Sequence, residues 1–319
     1  MDPPEQLEKE LAALDAFREL MKKLGPPASM EQIAKMKVEK ADIFICTPPK
    51  AGTTWIQQIC HQLRSGGDME FEEISEKIPF IEHAYDEGID LDADQRFKPR
   101  MFKTHLCEAL TPKGARYIVV TRHPYDMAVS SFKFMEGWMF EAGTISLDTF
   151  ITEHLVKLPA PRGRNRHIAS WWPRHADADV LWVFYEDMKE DLQTQVERVA
   201  TFMGITDPAV ISQAVHKSTF AFMKEHEEQF SEIPMKRKRN VELGLRPDAG
   251  SGQGKVRVGG GERHLLSERS KAALDESWRN ICQPVLGAAT FVEWRAAWKS
   301  EQEATHTQSP EKDREDCLC

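Results

Sequence analysis

The feature that most constrains the fold of this chain is the stretch between residues 43 and 59. The apolar run I-F-I-C at 43–46 is followed by T-P-P-K-A-G-T-T-W at 47–55, and a helical pattern begins at Trp55. A strand that passes through a glycine-containing turn into a helix presents backbone N–H groups and a helix N-terminus to an anion. The stretch therefore predicts an α/β protein with a P-loop-like, anion-binding loop.

Three later apolar runs predict further strands of the same sheet. They lie at 100–104, 117–121 and 180–185, and helical patterns at 126–136 and 190–203 follow the last two. Strands that alternate with helices form a mostly parallel sheet with both faces covered. A chain of 319 residues, 41% of them hydrophobic, can bury a large core. We expect one α/β domain with a mostly parallel central sheet flanked by helices.

The two ends of the chain are expected to lie outside this domain. An amphipathic pattern over 5–24 stops at Gly25-Pro26-Pro27, which makes residues 1–27 an N-terminal helix and linker. The polar, charged tail at 300–319 is expected to be disordered. Residues 28–299 then form the domain, in which the glycine-rich and charged region 231–262 is expected to be a mobile loop.

Composition argues against several classes of protein. A net charge of −9 and an isoelectric point near 5.7 disfavour a nucleic-acid binder. No run of about 18 apolar residues and no signal-peptide pattern occurs, so we expect no stable membrane insertion and a cytoplasmic location. Six cysteines without a C-x-x-C pair favour reduced thiols and no metal site. Cys317 and Cys319 leave two alternatives open, a lipidated terminus or an unmodified tail.

The loop at 47–55 departs from a Walker A loop in the order of its residues. Lys50 precedes Gly52, whereas the lysine of G-x-x-x-x-G-K-[ST] follows the second glycine. Both loops nevertheless bind an anion by the same physical principle. Gly52 permits close approach of the backbone, Thr53 and Thr54 place N–H groups at a helix start, and Lys50 adds a positive charge.

Several motifs, in order along the chain, resemble those of the cytosolic sulfotransferases. The loop is similar to the family's T-Y-P-K-S-G-T-T-W, and P-R-M-F-K-T-H-L at 99–106 to its P-R-x-x-K-T-H-L. R-H-P-Y-D-M-A-V-S at 122–130 is similar to R-N-P-x-D-x-A-V-S. Trp171-Trp172 and F-Y-E-D-M-K-E-D at 184–191 complete the series, which covers roughly residues 28 to 300. The resemblance implies transfer of a sulfuryl group from 3′-phosphoadenosine 5′-phosphosulfate (PAPS), with the bisphosphate PAP as product and no metal.

The resemblance also assigns residues to the donor. It implies that Lys50, Gly52, Thr53 and Thr54 hold the phosphosulfate and that Arg122 and Ser130 hold the 3′-phosphate. The residues that it places around the adenine are Trp55, Tyr185, Ser218, Thr219, Phe220 and Met223. The family's R-K-G reads Arg257-Val258-Gly259 here. Arg257 and Gly259 can still bind the 3′-phosphate, but the lost lysine is expected to weaken donor affinity unless Lys255 compensates.

Sulfuryl transfer needs positive charge at the leaving oxygen and a base for the acceptor proton. Lys50 is expected to stabilise the leaving oxygen. His105 is the expected general base, because imidazole has a pKa suited to taking a hydroxyl proton near neutrality. Lys103, two residues earlier, projects to the same strand face as His105 and is expected to steady the sulfuryl group.

The acceptor is less constrained by the sequence. I-P-F-I-E at 78–82 resembles the family's pocket segment, and five residues form either apolar pocket walls or ordinary core: Phe80, Phe134, Trp138, Met139 and Phe140. The basic stretch P-R-G-R-N-R-H at 161–167 is either a solvated helix face or a sign that the small-molecule acceptor is polar or anionic.

Assembly and two other functions stay open. The family's dimer motif K-x-x-x-T-V-x-x-x-E is not evident at 263–268, so a homodimer by that route is in doubt. The alternative functions are an atypical nucleotide-dependent kinase, which would need Mg²⁺, and an inactive sensor of PAPS or PAP.

Overall fold

The computed structural model describes residues 3–24, 27–159, 163–250, 254–257 and 261–307. In the described chain, a sheet of four parallel strands has the order β2-β1-β3-β4. The strands are β1 Ile43–Cys46, β2 Met101–Thr104, β3 Arg116–Thr121 and β4 Val180–Phe184. The prediction of four strands in a mostly parallel sheet is confirmed, with boundaries that differ by a residue or less.

Helices surround the sheet. They are α1 Pro3–Lys22, α2 Pro27–Lys35, α3 Thr53–Ser65, α4 Ile74–Lys77, α5 Ala84–Glu87, α6 Pro124–Glu136, α7 Leu147–Thr149, α8 Arg164–Trp171, α9 Tyr185–Glu190, α10 Leu192–Met203, α11 Pro208–Lys217, α12 Phe220–Glu225, α13 Ile233–Glu242, α14 Glu268–Ile281, α15 Gln283–Leu286 and α16 Phe291–Thr307. A π-helical turn, Phe150–Leu155, follows α7 directly. None of the helices in the described part of the chain is long and apolar enough to cross a membrane.

The strands are apolar on both faces because helices cover both. On one face, Phe44 stacks between Phe102 and Tyr117 at ring-centroid distances of 5.3 and 6.1 Å, and α2, α8, α14 and α16 pack over them. On the other face, α3, α10 and α11 cover Ile43 and Ile45. Burial on both sides is why the strands show continuous apolar runs and no alternation of polar and apolar residues.

The N-terminal helix is part of the packed structure. Leu14 and Phe17 of α1 are fully buried, and the Phe17 ring lies 5.5 Å from Phe140 and 6.0 Å from Phe150. The helix predicted near the N-terminus is present. Pro27, however, begins α2, in the first-turn position where proline costs no backbone hydrogen bond.

Two expectations about disorder differ from the structure. The helix α13 lies inside the region 231–262, where we expected a mobile loop; Arg239 pairs there with Glu87 at 2.7 Å and Asn240 is buried. The helix α16 continues to Thr307, although the composition predicts a disordered tail from residue 300. Local composition misses α13 because tertiary contacts stabilise it, and α16 runs past residue 300 as the continuation of a helix whose Trp294 and Trp298 are buried. Cys317 and Cys319 lie outside the described residues.

Candidate active site

A cavity of about 1270 Å³ lies at the carboxyl ends of the strands. The chain leaves β1 into the loop at 47–52, β2 into His105, β3 into Arg122 and β4 into Tyr185. Ligands of open parallel sheets bind at this edge, because the strand-end loops converge there. Most of the predicted site residues line the cavity: Lys50, Gly52, Thr53, Thr54, Trp55, Lys103, His105, Arg122, Ser130, Tyr185, Thr219, Phe220, Met223 and Arg257.

The loop after β1 has an unusual backbone. Lys50 and Gly52 have positive φ angles of 72° and 101°. A Cβ on Gly52 would lie 2.6 Å from the Tyr185 ring, so this position requires glycine both for its conformation and for its close approach. No side chain caps the start of α3 at Thr53. Thr53 and Thr54 line the cavity, so their N–H groups at the helix start are potential anion ligands.

His105 is held in one tautomer by the same loop. Its Nδ1 donates a hydrogen bond to the carbonyl oxygen of Thr47 at 2.7 Å, and the Oγ1 atoms of Thr47 and Thr53 lie 2.6 Å apart. A neutral imidazole that donates from Nδ1 carries a lone pair on Nε2. Burial lowers the pKa of His105 to about 4, and the positive charge of Lys103 adds to the effect. The ring is therefore neutral at pH 7, in the tautomer that a base requires.

Lys103 lies beside His105 but is engaged by an acidic residue. The Phe80 ring contacts both: Lys103 Nζ lies 5.0 Å from its centroid and the His105 ring 4.9 Å. Lys103 Nζ also contacts Oε1 of Glu232 at 2.6 Å, and Lys255 pairs with the other carboxylate oxygen of Glu232. In this structure a single carboxylate, Glu232, is therefore shared by two of the cations that were expected to face the donor.

Arg122 is positioned to bind an anion. Its guanidinium lies over the Tyr185 ring at 4.2 Å, and Nη1 donates to the carbonyl oxygen of Lys50 at 3.1 Å. Its Nε is buried without a hydrogen-bond acceptor in the described part of the chain. Ser130, two turns into α6, lines the same space. A phosphate oxygen would satisfy the Nε group. Gly259, the last predicted ligand, lies outside the described residues.

The predicted adenine residues form one group near Trp55. Trp55 and Tyr185 meet edge to face at 5.5 Å, and Trp55 Nε1 donates to the carbonyl oxygen of Ser218 at 2.7 Å. Ser218 is fully buried and does not line the cavity. Its place in the structure is behind Trp55, where its carbonyl fixes the indole.

We call the part of the cavity formed by the loop at 47–55, Arg122, Ser130, Tyr185 and α12 the donor side. The part on the other side of His105 is called the acceptor side. Phe80, Phe134 and Trp138 line the acceptor side, but Met139 and Phe140 do not and belong to the core. Sequence reasoning missed the contribution of the N-terminal helix, whose Phe17 and Met21 line this side together with the π-helical turn. Its amphipathic pattern shows that α1 packs, but not against which surface.

Glu82 is a further cavity residue to which sequence reasoning gave no role of its own. Its Oε1 accepts the backbone N–H of His105 at 2.7 Å, and its Oε2 is buried without a partner among the described residues. Burial raises the pKa of Glu82 to about 7. The side chain lines the cavity next to His105, the expected base. The segment I-P-F-I-E was the available signal, but only the fold shows that its glutamate reaches His105.

The residues of the basic stretch at 161–167 have different environments in the structure. Arg164 lines the cavity, whereas Arg166 is exposed and His167 is buried. Residues 161 and 162 lie outside the described residues. The two interpretations of this stretch therefore apply to different residues: Arg166 is a solvated group, and Arg164 belongs to the pocket. No cluster of three or more metal-ligating side chains occurs in the ranges that the structure describes.

Comparison with known proteins agrees with this geometry. The family model described as "Sulfotransferase domain" matches residues 40–275. Human sulfotransferase 1C2 is 32% identical over 229 residues, covering 66% of this chain and 76% of its own. Rabbit amine sulfotransferase is 28% identical over 255 residues, covering 76% of this chain and 81% of its own. The chain therefore belongs to the sulfotransferase family.

Solved structures show the same fold. Mouse sulfotransferase SULT7A1 complexed with PAP is 20% identical with a TM-score of 0.57, covering 82% of this chain and 91% of its own. Retinol dehydratase in complex with androsterone and the inactive cofactor PAP is 18% identical with a TM-score of 0.61, covering 83% and 93%. As a member of this family, the protein is an enzyme, a PAPS-dependent sulfotransferase.

The residues present fit such a donor. The uncapped start of α3 and the unpartnered Nε of Arg122 offer hydrogen-bond donors to phosphate oxygens. Gly52 lines the cavity, and its positive φ and close contact with Tyr185 fix the backbone of the loop that leads to Thr53 and Thr54. The edge-to-face pair of Trp55 and Tyr185 offers aromatic surface to a flat base.

Proposed function

We propose that this enzyme sulfates a hydroxyl or amine of a small-molecule acceptor, with His105 as the general base. The observation that carries the proposal is the hydrogen bond from His105 Nδ1 to the carbonyl oxygen of Thr47, at 2.7 Å. It leaves Nε2 as a proton acceptor in a cavity that the anion-binding loop also lines.

The donor side would hold PAPS by its two anionic ends. Lys50, with the N–H groups of Thr53 and Thr54, would bind the phosphosulfate, and Arg122, Ser130 and Arg257 the 3′-phosphate. Trp55, Tyr185, Thr219, Phe220 and Met223 would surround the adenine, with Ser218 fixing Trp55. Gly259 stays a predicted phosphate ligand. When bound, PAPS supplies an activated sulfuryl group whose transfer leaves negative charge on the departing phosphate oxygen.

His105 would take the acceptor proton at Nε2. The carbonyl oxygen of Thr47 would then stabilise the imidazolium through the hydrogen bond at Nδ1. Lys50 would neutralise the charge on the departing oxygen, and Lys103 would steady the sulfuryl group once it exchanges Glu232 for the donor. The neutral resting state of His105 means that no proton has to be removed from it before the reaction.

Three further points belong to this proposal. The acceptor side has apolar walls, and the neighbour retinol dehydratase is described in complex with androsterone, which supports a small organic acceptor.

The described cysteines are free, which supports a reducing, cytoplasmic location. A homodimer is compatible with the chain but is not supported by the family's short dimer motif.

The test is His105→Ala, assayed with labelled donor and a phenol acceptor in the presence of a chelator. We expect a loss in kcat of about 100-fold or more, because positioned general bases contribute at least that factor. Calorimetric affinity for PAP should stay unchanged. His264→Ala, which changes an exposed histidine outside the cavity, is the matched control. Wild-type turnover by the His105→Ala variant would remove the base assignment, and absence of PAP binding by the wild type would remove the donor assignment.

A further inference from the structure

Arg164 is a cation of the acceptor side, and no carboxylate of the described residues forms an ion pair with it. Arg164 is the first residue of α8 and lines the cavity. Its Nε donates to the carbonyl oxygen of Pro49 at 3.3 Å and its Nη2 to Oγ of Ser131 at 2.6 Å. Its Nη1 has no hydrogen-bond partner in the described part of the chain. Burial lowers the pKa of Arg164 to about 10, so the guanidinium is still charged at pH 7.

Five other cations near this wall are paired with carboxylates. Within the described ranges, the ion pairs are Arg18 with Asp15, Lys22 with Glu19, Lys103 with Glu232, Lys157 with Glu153, and Arg239 with Glu87, all at 2.5–2.7 Å. Arg164 is half-buried, and a guanidinium that is partly withdrawn from water without a carboxylate is unfavourable. The cost is compensated if a ligand supplies the missing anion.

The position of Arg164 in its helix is a second, independent reason to expect that an anion binds beside it. The positive end of a helix dipole disfavours a cation and favours an anion. Arg164 occupies this end of α8, and no side chain caps the helix at Gly163. An anion near Nη1 would therefore interact favourably with the guanidinium and with the helix terminus.

Arg164 is also linked to the reaction centre by a short segment of chain. It binds the carbonyl oxygen of Pro49, and His105 binds that of Thr47, two residues earlier. Carbonyls two residues apart lie within about 7 Å along the chain. A small molecule could therefore present a hydroxyl to His105 and an anionic group to Arg164 at the same time.

We propose that Arg164 determines acceptor specificity by binding a carboxylate, so that the preferred acceptors are small hydroxylated carboxylic acids. The proposal rests on the function proposed above. The guanidinium edge with Nη1 and Nη2 has N–H groups free for a carboxylate, which an arginine binds in the plane of both groups. The apolar walls formed by Phe17 and Phe150 would enclose the rest of the acceptor.

The experiment compares acids with their own methyl esters, which keep the hydroxyl and lose the charge. The probes are para-hydroxybenzoate, para-hydroxyphenylacetate and para-hydroxyphenylpropanoate, each with its ester. Wild-type enzyme should show kcat/KM at least about tenfold higher for one acid than for its ester, the factor expected of a charge-assisted hydrogen bond. Arg164→Gln should lower this ratio about tenfold or more, and Arg164→Lys should retain part of it.

Two measurements separate this role from a structural one. Affinity for PAP should be the same in wild type and Arg164→Gln, and Arg166→Gln, on the exposed side of the same helix, should behave as wild type. The second readout is the pKa of His154 by NMR, which burial and the neighbouring Arg164 and Arg18 hold at about 4. Binding of the preferred acid should raise it, and binding of the ester should not.

The outcomes are distinct. Equal or better turnover of every ester than of its acid overturns the assignment. An equal loss for acid and ester in Arg164→Gln also overturns it, and a loss of PAP affinity in that variant transfers Arg164 to the donor side. If the wild type binds no PAP and sulfates neither acids nor esters, the proposed function has failed, which is a different result. Arg164→Lys keeps the test valid should Arg164→Gln fold poorly.

Discussion

The donor side and the acceptor side of the cavity differ in how their residues are arranged along the chain. The donor side is built where strands end: Lys50 and Gly52 follow β1, Arg122 follows β3 and Tyr185 follows β4. The acceptor side combines α1 with the π-helical turn and the start of α8, which lie more than a hundred residues further along the chain. Residues at strand ends are brought together by sheet topology alone, whereas the helices meet only because their apolar faces pack.

This difference has a chemical counterpart. The donor side offers backbone N–H groups and fixed cations, which suit one invariant ligand. The acceptor side offers apolar surface and several charged side chains, of which Glu82 and Arg164 form no ion pair within the described residues. A cavity of this kind can keep its donor chemistry while its acceptor specificity depends on a few side chains. The following predictions test how independent the two sides are.

The largest expected effect is on the donor side. Gly52→Ala should weaken PAP affinity by about 10- to 100-fold, because a positive φ costs roughly 1–3 kcal/mol for a non-glycine residue and the methyl group would contact Tyr185. Its Cβ would lie 2.6 Å from the ring. Calorimetric titration with PAP measures the change.

Gly66→Ala provides the matched control for Gly52→Ala. Gly66 ends the same helix, α3, with a φ of 65°, but nothing lies within 4 Å of an added Cβ. This variant should lose stability and keep its affinity for PAP. An equal loss of affinity in both variants would show that strain alone, and not the close approach to Tyr185, limits donor binding.

The next effect is on the acceptor side. Met21→Ala should raise the KM for acceptors roughly tenfold, since a buried methionine side chain contributes about 1.5–3 kcal/mol of apolar contact. PAP affinity should not change. Leu7→Ala changes an exposed residue of the same helix and should leave both constants unaltered. A change in PAP affinity on Met21→Ala would contradict the independence of the two sides.

The pH dependence of activity should reflect the burial of His105. Its pKa is lowered to about 4, and the protonated ring cannot act as a base. As the pH falls, kcat/KM should therefore persist below 6.5, the usual pKa of histidine, and decline only toward pH 4. A decline centred at pH 6.5 in steady-state measurements would place the base in a more solvated site than this one.

The smallest expected effect concerns stability. The pKa of Glu82 is raised to about 7, so the folded state binds a proton that the unfolded state releases near pH 4.5. Stability is then lost as the pH rises between these values. Glu82→Gln, which keeps an acceptor for the His105 N–H, should be more stable than wild type by about 1 kcal/mol or more at pH 8. Urea unfolding should show no such gain at pH 4.5.

Sequence reasoning was most successful where a motif is local. The strand–loop–helix stretch around Lys50 and Gly52 predicts the loop correctly, because the residues that shape it are neighbours in the chain. His105 and Arg122 could be predicted because each directly follows a strand. The helix α13 could not be predicted from its glycine-rich and basic surroundings, since Asn240 and Arg239 are fixed by partners distant in the sequence.

By itself, the sequence determined the family, the α/β architecture and most of the residues that line the cavity where the strands end, because apolar runs and glycine positions encode strands and turns directly. Only the tertiary structure decided that α1 lines the cavity, that Glu82 accepts the backbone N–H of His105 and that Glu232 engages Lys103. It also separated Arg164 from Arg166 within one basic stretch. The physical reason is burial: whether a charge lies in water or in a cavity depends on how helices pack, and that is set by surfaces distant in the chain.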